Sequence, residues 1–119
     1  MQERICSCVC ILILCLYSLV SANSADAPKI QRFQFPDKLE VNEKVGATCM
    51  LRSGKPPYTF RWLKEGKELE NKNGVIIENG DRLSHLLIDP ITYASAGNYT
   101  CLAKNSAGID SYSSILTVT

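Results

Sequence analysis

The sequence predicts an all-β protein, an antiparallel β-sandwich or barrel. About eight short segments of alternating apolar and polar residues follow one another at a spacing near ten residues, and turns rich in Gly, Pro and Asn separate them. No segment carries a convincing helical period, and no connection is long enough to join parallel strands. Charge is balanced, with 13 basic and 12 acidic residues, so bulk electrostatics predicts no nucleic-acid or acidic-membrane partner.

The first 25 residues differ from the rest and predict a secretory signal peptide. Residues 5–20 form one apolar run that is short for a membrane span, and small residues follow it. We expect cleavage between Ala22 and Ala25, with an uncleaved anchor as the alternative. Residues 26–119 then form the mature domain.

Four of the six cysteines fall inside this apolar run. A removed segment offers no folded cage of thiolates, so the run does not predict a metal site. These four are Cys6, Cys8, Cys10 and Cys15. Cys49 and Cys101 remain, and an isolated pair in an oxidising compartment is expected to form one disulfide.

The first half of the mature chain holds the strands of the first cysteine and the tryptophan. KIQRFQF is closed by Pro36, and KLEV follows it before the turn NEK. VGATCML alternates with Cys49 on its inward face, and SGKPPY is a loop rich in Gly and Pro. TFRWLK places Phe60 and Trp62 on one face, and the short KEL follows a turn at Gly66.

The second half holds the strands that complete the sheets. VIIEN follows the turn NKNG, and LSHLLI alternates with Leu86 and Ile88 inward. NYTCLAK places Tyr99, Cys101 and Ala103 on one face. After the turn NSAG, the segment IDSYSSILTVT alternates to the end of the sequence.

The spacing of a few inward residues narrows the fold class. Cys49 and Cys101 are 52 positions apart, Trp62 lies 13 positions after Cys49, and Tyr99 lies two before Cys101. This is the pattern of an immunoglobulin-like sandwich, in which one disulfide joins the sheets, the indole packs against it and the tyrosine hydroxyl bonds back to upstream backbone. These residues, with Leu86, are therefore predicted to be core and structural.

The mature chain resembles an intermediate-set (I-set) immunoglobulin domain over nearly its whole length, in WLKEGKEL, SAGNYTC and AKNSAG. The stretch from APKIQRF to GKEL is similar to domains of the Down syndrome cell adhesion molecule (Dscam) family, in particular the variable N-terminal domain of its shortened chelicerate forms. That resemblance implies cell-surface recognition, often homophilic. It places the contact on the sheet conventionally made of strands A, B, E and D, to which VGATCML, VIIEN and LSHLLI belong here. One departure is Ser95, where the family commonly has an Asp paired with an arginine, here Arg82.

The strand alternation predicts which side chains of that sheet face water. Met50, Ile76, His85 and Leu87 are expected to point outward, since their neighbours along each strand point to the core. A contiguous apolar patch on an open sheet face indicates a protein partner. The alternative is a set of scattered exposed side chains, which are common. Binding through so small a patch should be weak and depend on avidity.

Enzyme chemistry finds no support in the sequence. His85 is the one histidine, no free cysteine remains in the mature domain, and no metal-ligand spacing or phosphate loop appears, so no catalytic residue, cofactor or small-molecule substrate is expected. Asn98, in Asn98-Tyr99-Thr100, is an N-glycosylation acceptor, although its position in a strand is a reason to expect limited access.

The predicted function is therefore a secreted or cell-surface recognition module for adhesion, which binds another copy of itself or a related isoform. The alternatives are a structural spacer or heterophilic binding module in an extracellular matrix or receptor array, and an ectodomain piece of an enzyme with its chemistry elsewhere. Because domains of this type usually occur in tandem, we expect a fragment of a longer protein, with any membrane anchor outside this chain.

Overall fold

A computed structural model describes residues 24–119, so most of the predicted signal peptide lies outside the described residues. These described residues form eight strands and two short 3-10 turns, Ser24–Asp26 and Tyr93–Ser95. The strands are β1 (Lys29–Ile30), β2 (Val45–Ser53), β3 (Thr59–Lys64), β4 (Lys67–Glu68), β5 (Val75–Asn79), β6 (Leu83–Ile88), β7 (Gly97–Asn105) and β8 (Gly108–Leu116).

The strands build two four-stranded sheets, ordered β1-β2-β6-β5 and β4-β3-β7-β8. All neighbouring strands pair antiparallel, which confirms the predicted sandwich. We call them the first and the second sheet. Only the short β4 lies between β3 and β5 in the chain, as the sequence predicts.

The prediction of short strands over KIQRFQF and KLEV is wrong for most of their residues. Of KIQRFQF only Lys29–Ile30 pairs with β2, and of KLEV only Leu39 pairs, as an isolated parallel bridge to Val118. The chain leaves the edge of the first sheet here and reaches the edge of the second, so neither ladder can continue along it. Pro36 has no N–H to donate, and Lys38 has a φ of 60°, which ends an extended run.

The core lies between the two sheets. The chain between Ile30 and Leu39 crosses from the edge of one sheet to the edge of the other and covers the core, and we call it the crossing segment. Phe35 is buried and packs edge-on against Tyr99, with ring centroids 5.4 Å apart. Phe33 is half-buried and lies 5.5 Å from Trp62. The aromatic residues of KIQRFQF therefore face the core, although the backbone that carries them is not a strand.

The predicted disulfide is confirmed. Cys49 of β2 and Cys101 of β7 are bonded, with their Cα atoms 6.4 Å apart, and neither has exposed surface. The bond links the centres of the two sheets and closes a loop with a sequence separation of 52 residues.

Candidate functional site

A buried hydrogen bond between the two sheets lies beside the disulfide. Trp62 pairs in register with Cys101, and Ser84 pairs with Cys49. The Trp62 indole N–H donates to the Ser84 hydroxyl oxygen at 2.9 Å, and that hydroxyl donates to the Asn79 side-chain oxygen at 2.6 Å. Trp62, Ser84 and the cysteines are fully buried, so this cluster holds the sheets together and cannot meet a ligand.

The other predicted core residues occupy the same interior. Leu86 is fully buried on β6, and the buried Tyr99 hydroxyl donates to the Ser95 carbonyl oxygen at 2.6 Å. Burial first, and the nearby Glu65 carboxylate second, raise the pKa of Tyr99 to about 12. Ser95 replaces the family's Asp, and its hydroxyl oxygen accepts the Thr92 N–H at 2.9 Å. Arg82 forms no salt bridge within the described part of the chain.

The outer face of the first sheet is the candidate site, and strand register arranges its side chains in three rows. The first row is Gly46, Leu87 and Ile76; the second is Thr48, His85 and Glu78; the third is Met50 and Leu83. Each row runs across the strands. The first and third rows are apolar, and the polar second row lies between them.

A hollow lies in this face at Gly46. Gly46 is an outward position near the start of β2 and has no side chain, and a space of about 270 Å³ lies beside it and beside β5 and β6. We call this space the Gly46 hollow; its rim includes Thr48, Ile76, Glu78, His85 and Leu87. The Thr48 hydroxyl oxygen lies 3.0 Å from His85 Nδ1, a hydrogen bond that holds the imidazole at the rim.

Three of the four side chains predicted for an interface line the Gly46 hollow, and Met50 does not. Ile76, with 45% of its surface exposed, His85 and the half-buried Leu87 line the Gly46 hollow. Met50 is 40% exposed but lies in the third row, beyond the polar row and outside the hollow.

The alternation of apolar residues along the strands does not predict Gly46 as a residue of the site. A signal was available, since a glycine inside a strand often marks the close approach of another chain. A Cβ at this position would meet only the Leu86 carbonyl oxygen, at an ordinary 3.5 Å, so the backbone itself does not require glycine.

Comparison with known proteins assigns the chain to a family. The immunoglobulin I-set domain profile matches residues 28–118, which is most of the sequence. The chain belongs to the immunoglobulin I-set family. The domain is 37% identical over 91 residues to human "Cell adhesion molecule DSCAM" and 35% identical over 80 residues to mouse "Cell adhesion molecule DSCAML1". These matches cover 76% and 67% of this chain but 4% of each relative, so the chain spans a small part of their length.

Solved structures agree with this assignment. The crystal structure of the Ig7 domain of Dscam1, isoform 5, is 29% identical, with a TM-score of 0.75 over 78% of this chain and 97% of that one. The I67–I69 fragment of titin is 27% identical, with a TM-score of 0.71 over 77% of this chain and 32% of that one. The I-set fold alone therefore does not separate domains of Dscam1 from domains of titin.

The second sheet of the I-set domain carries exposed charged and polar side chains. Arg61 and Glu68 form a double hydrogen bond, with both distances 3.0 Å, and this contact lowers the pKa of Glu68. Both side chains are more than half exposed, so the pair contributes little to stability. Asn98 is exposed on β7 and pairs in register with Ile115 of β8.

Residues 24–119 contain no group of three or more His, Cys, Asp or Glu side chains placed to hold a metal ion. Within the same residues no helix is long and apolar enough to cross a membrane.

Proposed function

We propose that this I-set domain is a cell-adhesion module of the secretory pathway, displayed at the cell surface or in the extracellular space. Its partner is a second copy of itself or a related isoform, bound through the outer face of the first sheet. The proposal takes its general class from DSCAM and DSCAML1, whose names state that they are cell adhesion molecules. The observation that carries the finer claim is the Gly46 hollow on the same face as the exposed Met50 side chain.

Two copies of this face are complementary if they meet about a two-fold axis. Gly46 and Met50 lie on β2, with Thr48 midway between them. An axis that lies between the faces and crosses β2 at Thr48 reverses the strand direction, so Met50 of each copy lies over the Gly46 hollow of the other. The knob and the hole are about 13 Å apart along one strand. A closed, isologous dimer makes this contact twice.

The contact has the right chemistry for a weak association. A methionine side chain adapts to irregular apolar spaces, and Ile76 and Leu87 supply the apolar wall. Met50 is 40% exposed in the single domain, so burial of that remaining surface contributes about 1 kcal/mol per copy, while association costs at least several kcal/mol of lost translational and rotational freedom. Glu78 of the two copies would approach each other at the rim, which lowers the affinity further. One pair of domains should therefore bind weakly, and arrays on apposed cells should bind through avidity.

Sedimentation of the secreted chain over a range of concentrations tests this proposal. A double variant, Met50→Glu with Leu87→Glu, places charge in the third and first rows. The matched control is Ile109→Glu with Ile115→Glu, which adds the same charge at two exposed positions on β8 of the second sheet. Circular dichroism verifies that both variants keep the fold.

Concentration-dependent dimers of the wild type and the control, absent in the Met50 and Leu87 variant, would support the proposal. Loss of dimers in the control alone would move the interface to the second sheet. A monomer in every sample would remove the homophilic claim and favour a heterophilic binder or a spacer domain.

A further inference from the structure

The second sheet carries an N-glycosylation acceptor beside an exposed apolar side chain. Asn98 of β7 and Ile115 of β8 are register partners on the outer face, and 67% of Ile115 is exposed. Side chains directly opposite each other in an antiparallel pair have Cβ atoms about 5 Å apart. Any group attached to the Asn98 amide therefore starts within reach of Ile115.

The surroundings of Asn98 leave room for such a group. An open groove of about 590 Å³ runs along β8, and its lining includes Asn98, Ser113, Ile115, Phe33 and Tyr112. The Asn98 backbone N–H donates to the Glu65 carboxylate at 2.7 Å, which fixes the strand while the side chain remains exposed. The Thr100 hydroxyl, the third residue of the acceptor sequence, pairs with the Ser113 hydroxyl at 2.6 Å on the same face.

We propose that Asn98 carries an N-linked glycan, and that the first sugars of this glycan lie over Ile115 and the adjoining groove. Sugars present both apolar C–H faces and hydroxyl groups, which match an isoleucine, two aromatic residues and a row of serine and threonine hydroxyls. The inference rests on the export to the secretory pathway that the proposed function assumes.

The modification needs one co-reactant, a polyprenyl-diphosphate-linked oligosaccharide of the secretory pathway. The Asn98 side-chain nitrogen bonds to the anomeric carbon of the first sugar, and the bond from that carbon to the diphosphate oxygen breaks. The polyprenyl diphosphate leaves with the bonding electron pair, and the amide gives up one proton to base. No atom changes its oxidation state in this transfer.

The position of the glycan has a consequence for recognition. Asn98 belongs to the second sheet, whereas the Gly46 hollow and Met50 belong to the outer face of the first. A bulky, hydrated glycan on one face discourages protein contacts there and leaves the other face open. The modification therefore disfavours protein association at the Asn98 end of the second sheet and leaves the outer face of the first sheet open.

Expression of the full chain in a eukaryotic secretory host tests the modification. Intact mass before and after glycosidase treatment reports occupancy. Asn98→Gln removes the acceptor, while Thr100→Ser keeps both the acceptor sequence and a hydroxyl facing Ser113. We expect a glycosidase-sensitive mass increase in the wild type and in Thr100→Ser, and its complete loss in Asn98→Gln.

Hydroxyl-radical labelling with mass spectrometry tests where the glycan lies. Ile115 labelling should fall several-fold in the glycosylated wild type relative to Asn98→Gln. Ile109 is the matched control, because it is 63% exposed on the same strand and face but about 20 Å away. Ile109 labelling should not change.

Two results would overturn the inference. A secreted wild-type chain without a glycan would remove the site, and a glycosylated chain with undiminished Ile115 labelling would remove the proposed contact. If the full chain is not exported, a version with a host leader in place of residues 1–25 separates the two failures. A glycan on that version keeps the inference and removes the predicted signal peptide, and a bare secreted chain overturns the inference. Neither readout depends on whether the domain self-associates.

Discussion

The Tyr99 hydroxyl donates a 2.6 Å hydrogen bond to the carbonyl oxygen of Ser95, four residues earlier. This bond ties the start of β7 to the 3-10 turn Tyr93–Ser95, and Phe35 packs on the ring at 5.4 Å. Only 2% of Tyr99 is exposed, so water cannot replace the tyrosine if the bond is broken. The contact therefore links the crossing segment, the turn and the second sheet at one end of the sandwich.

Removal of this hydroxyl should destabilise the domain. Tyr99→Phe keeps the ring but leaves the Ser95 carbonyl oxygen without its buried donor, which costs about 1–3 kcal/mol. Denaturant unfolding of the two proteins at neutral pH measures the difference in the free energy of unfolding. Tyr93→Phe is the matched control, because Tyr93 lies in the same turn and is exposed, and it should change this free energy by less than about 0.5 kcal/mol.

The raised pKa of Tyr99 predicts an alkaline loss of stability. The unfolded tyrosine loses its proton near pH 10, whereas burial keeps the folded one neutral until about 12. The stabilisation is thus complete below about pH 10 and is lost as pH rises through about 12. Over that window the wild type should lose on the order of 2 kcal/mol more than Tyr99→Phe. Equal slopes of stability against pH in both proteins would contradict this account.

The hydroxyl group of Ser84 is predicted to stabilise the folded domain. Ser84→Ala removes the partner of the buried Trp62 N–H and should lower the free energy of unfolding by about 1–3 kcal/mol. In the background of Trp62→Phe, which has no N–H, the same change should cost less. A double-mutant cycle measured by denaturant unfolding gives the coupling, and a coupling near zero would show that the bond adds no net stability.

The disulfide should account for a large part of the stability. A cross-link with a sequence separation of 52 residues stabilises the folded state by about 4 kcal/mol in the chain-entropy treatment. The variant with Cys49→Ala and Cys101→Ala should lose at least that amount, since it also loses two buried sulfur atoms. The unfolding midpoint of that variant, compared with the oxidised wild type, tests the prediction.

Much of the fold was predictable because its signals are local. Alternation along β2, β6 and β7 identifies the inward residues, and the offsets of Trp62 and Tyr99 from the cysteines place them in the core. The N-terminal crossing was not predictable, since KIQRFQF alternates like a strand and its pairing stops where the chain spans the distance between two sheet edges. The sequence pattern says nothing of that distance.

The candidate site was predictable in some of its members but not in its shape. The outward direction of Ile76 and His85 follows from a period of two along each strand. The polar row between Met50 and Leu87, and the hollow at Gly46, depend on the register between strands. Register is a tertiary property, set by the turns and by the packing of whole sheets.

The central claim is that the Gly46 hollow receives a side chain from a second copy. The most direct test is the dimer dissociation constant of Gly46→Val, measured by sedimentation beside the wild type. Valine is favoured in strands and the backbone leaves room for its Cβ, so the variant should keep the fold. Because valine also adds apolar surface, any non-specific association should become stronger. We predict that narrowing the hollow in this way abolishes dimers or weakens them at least tenfold, while undiminished or stronger dimers would contradict the account.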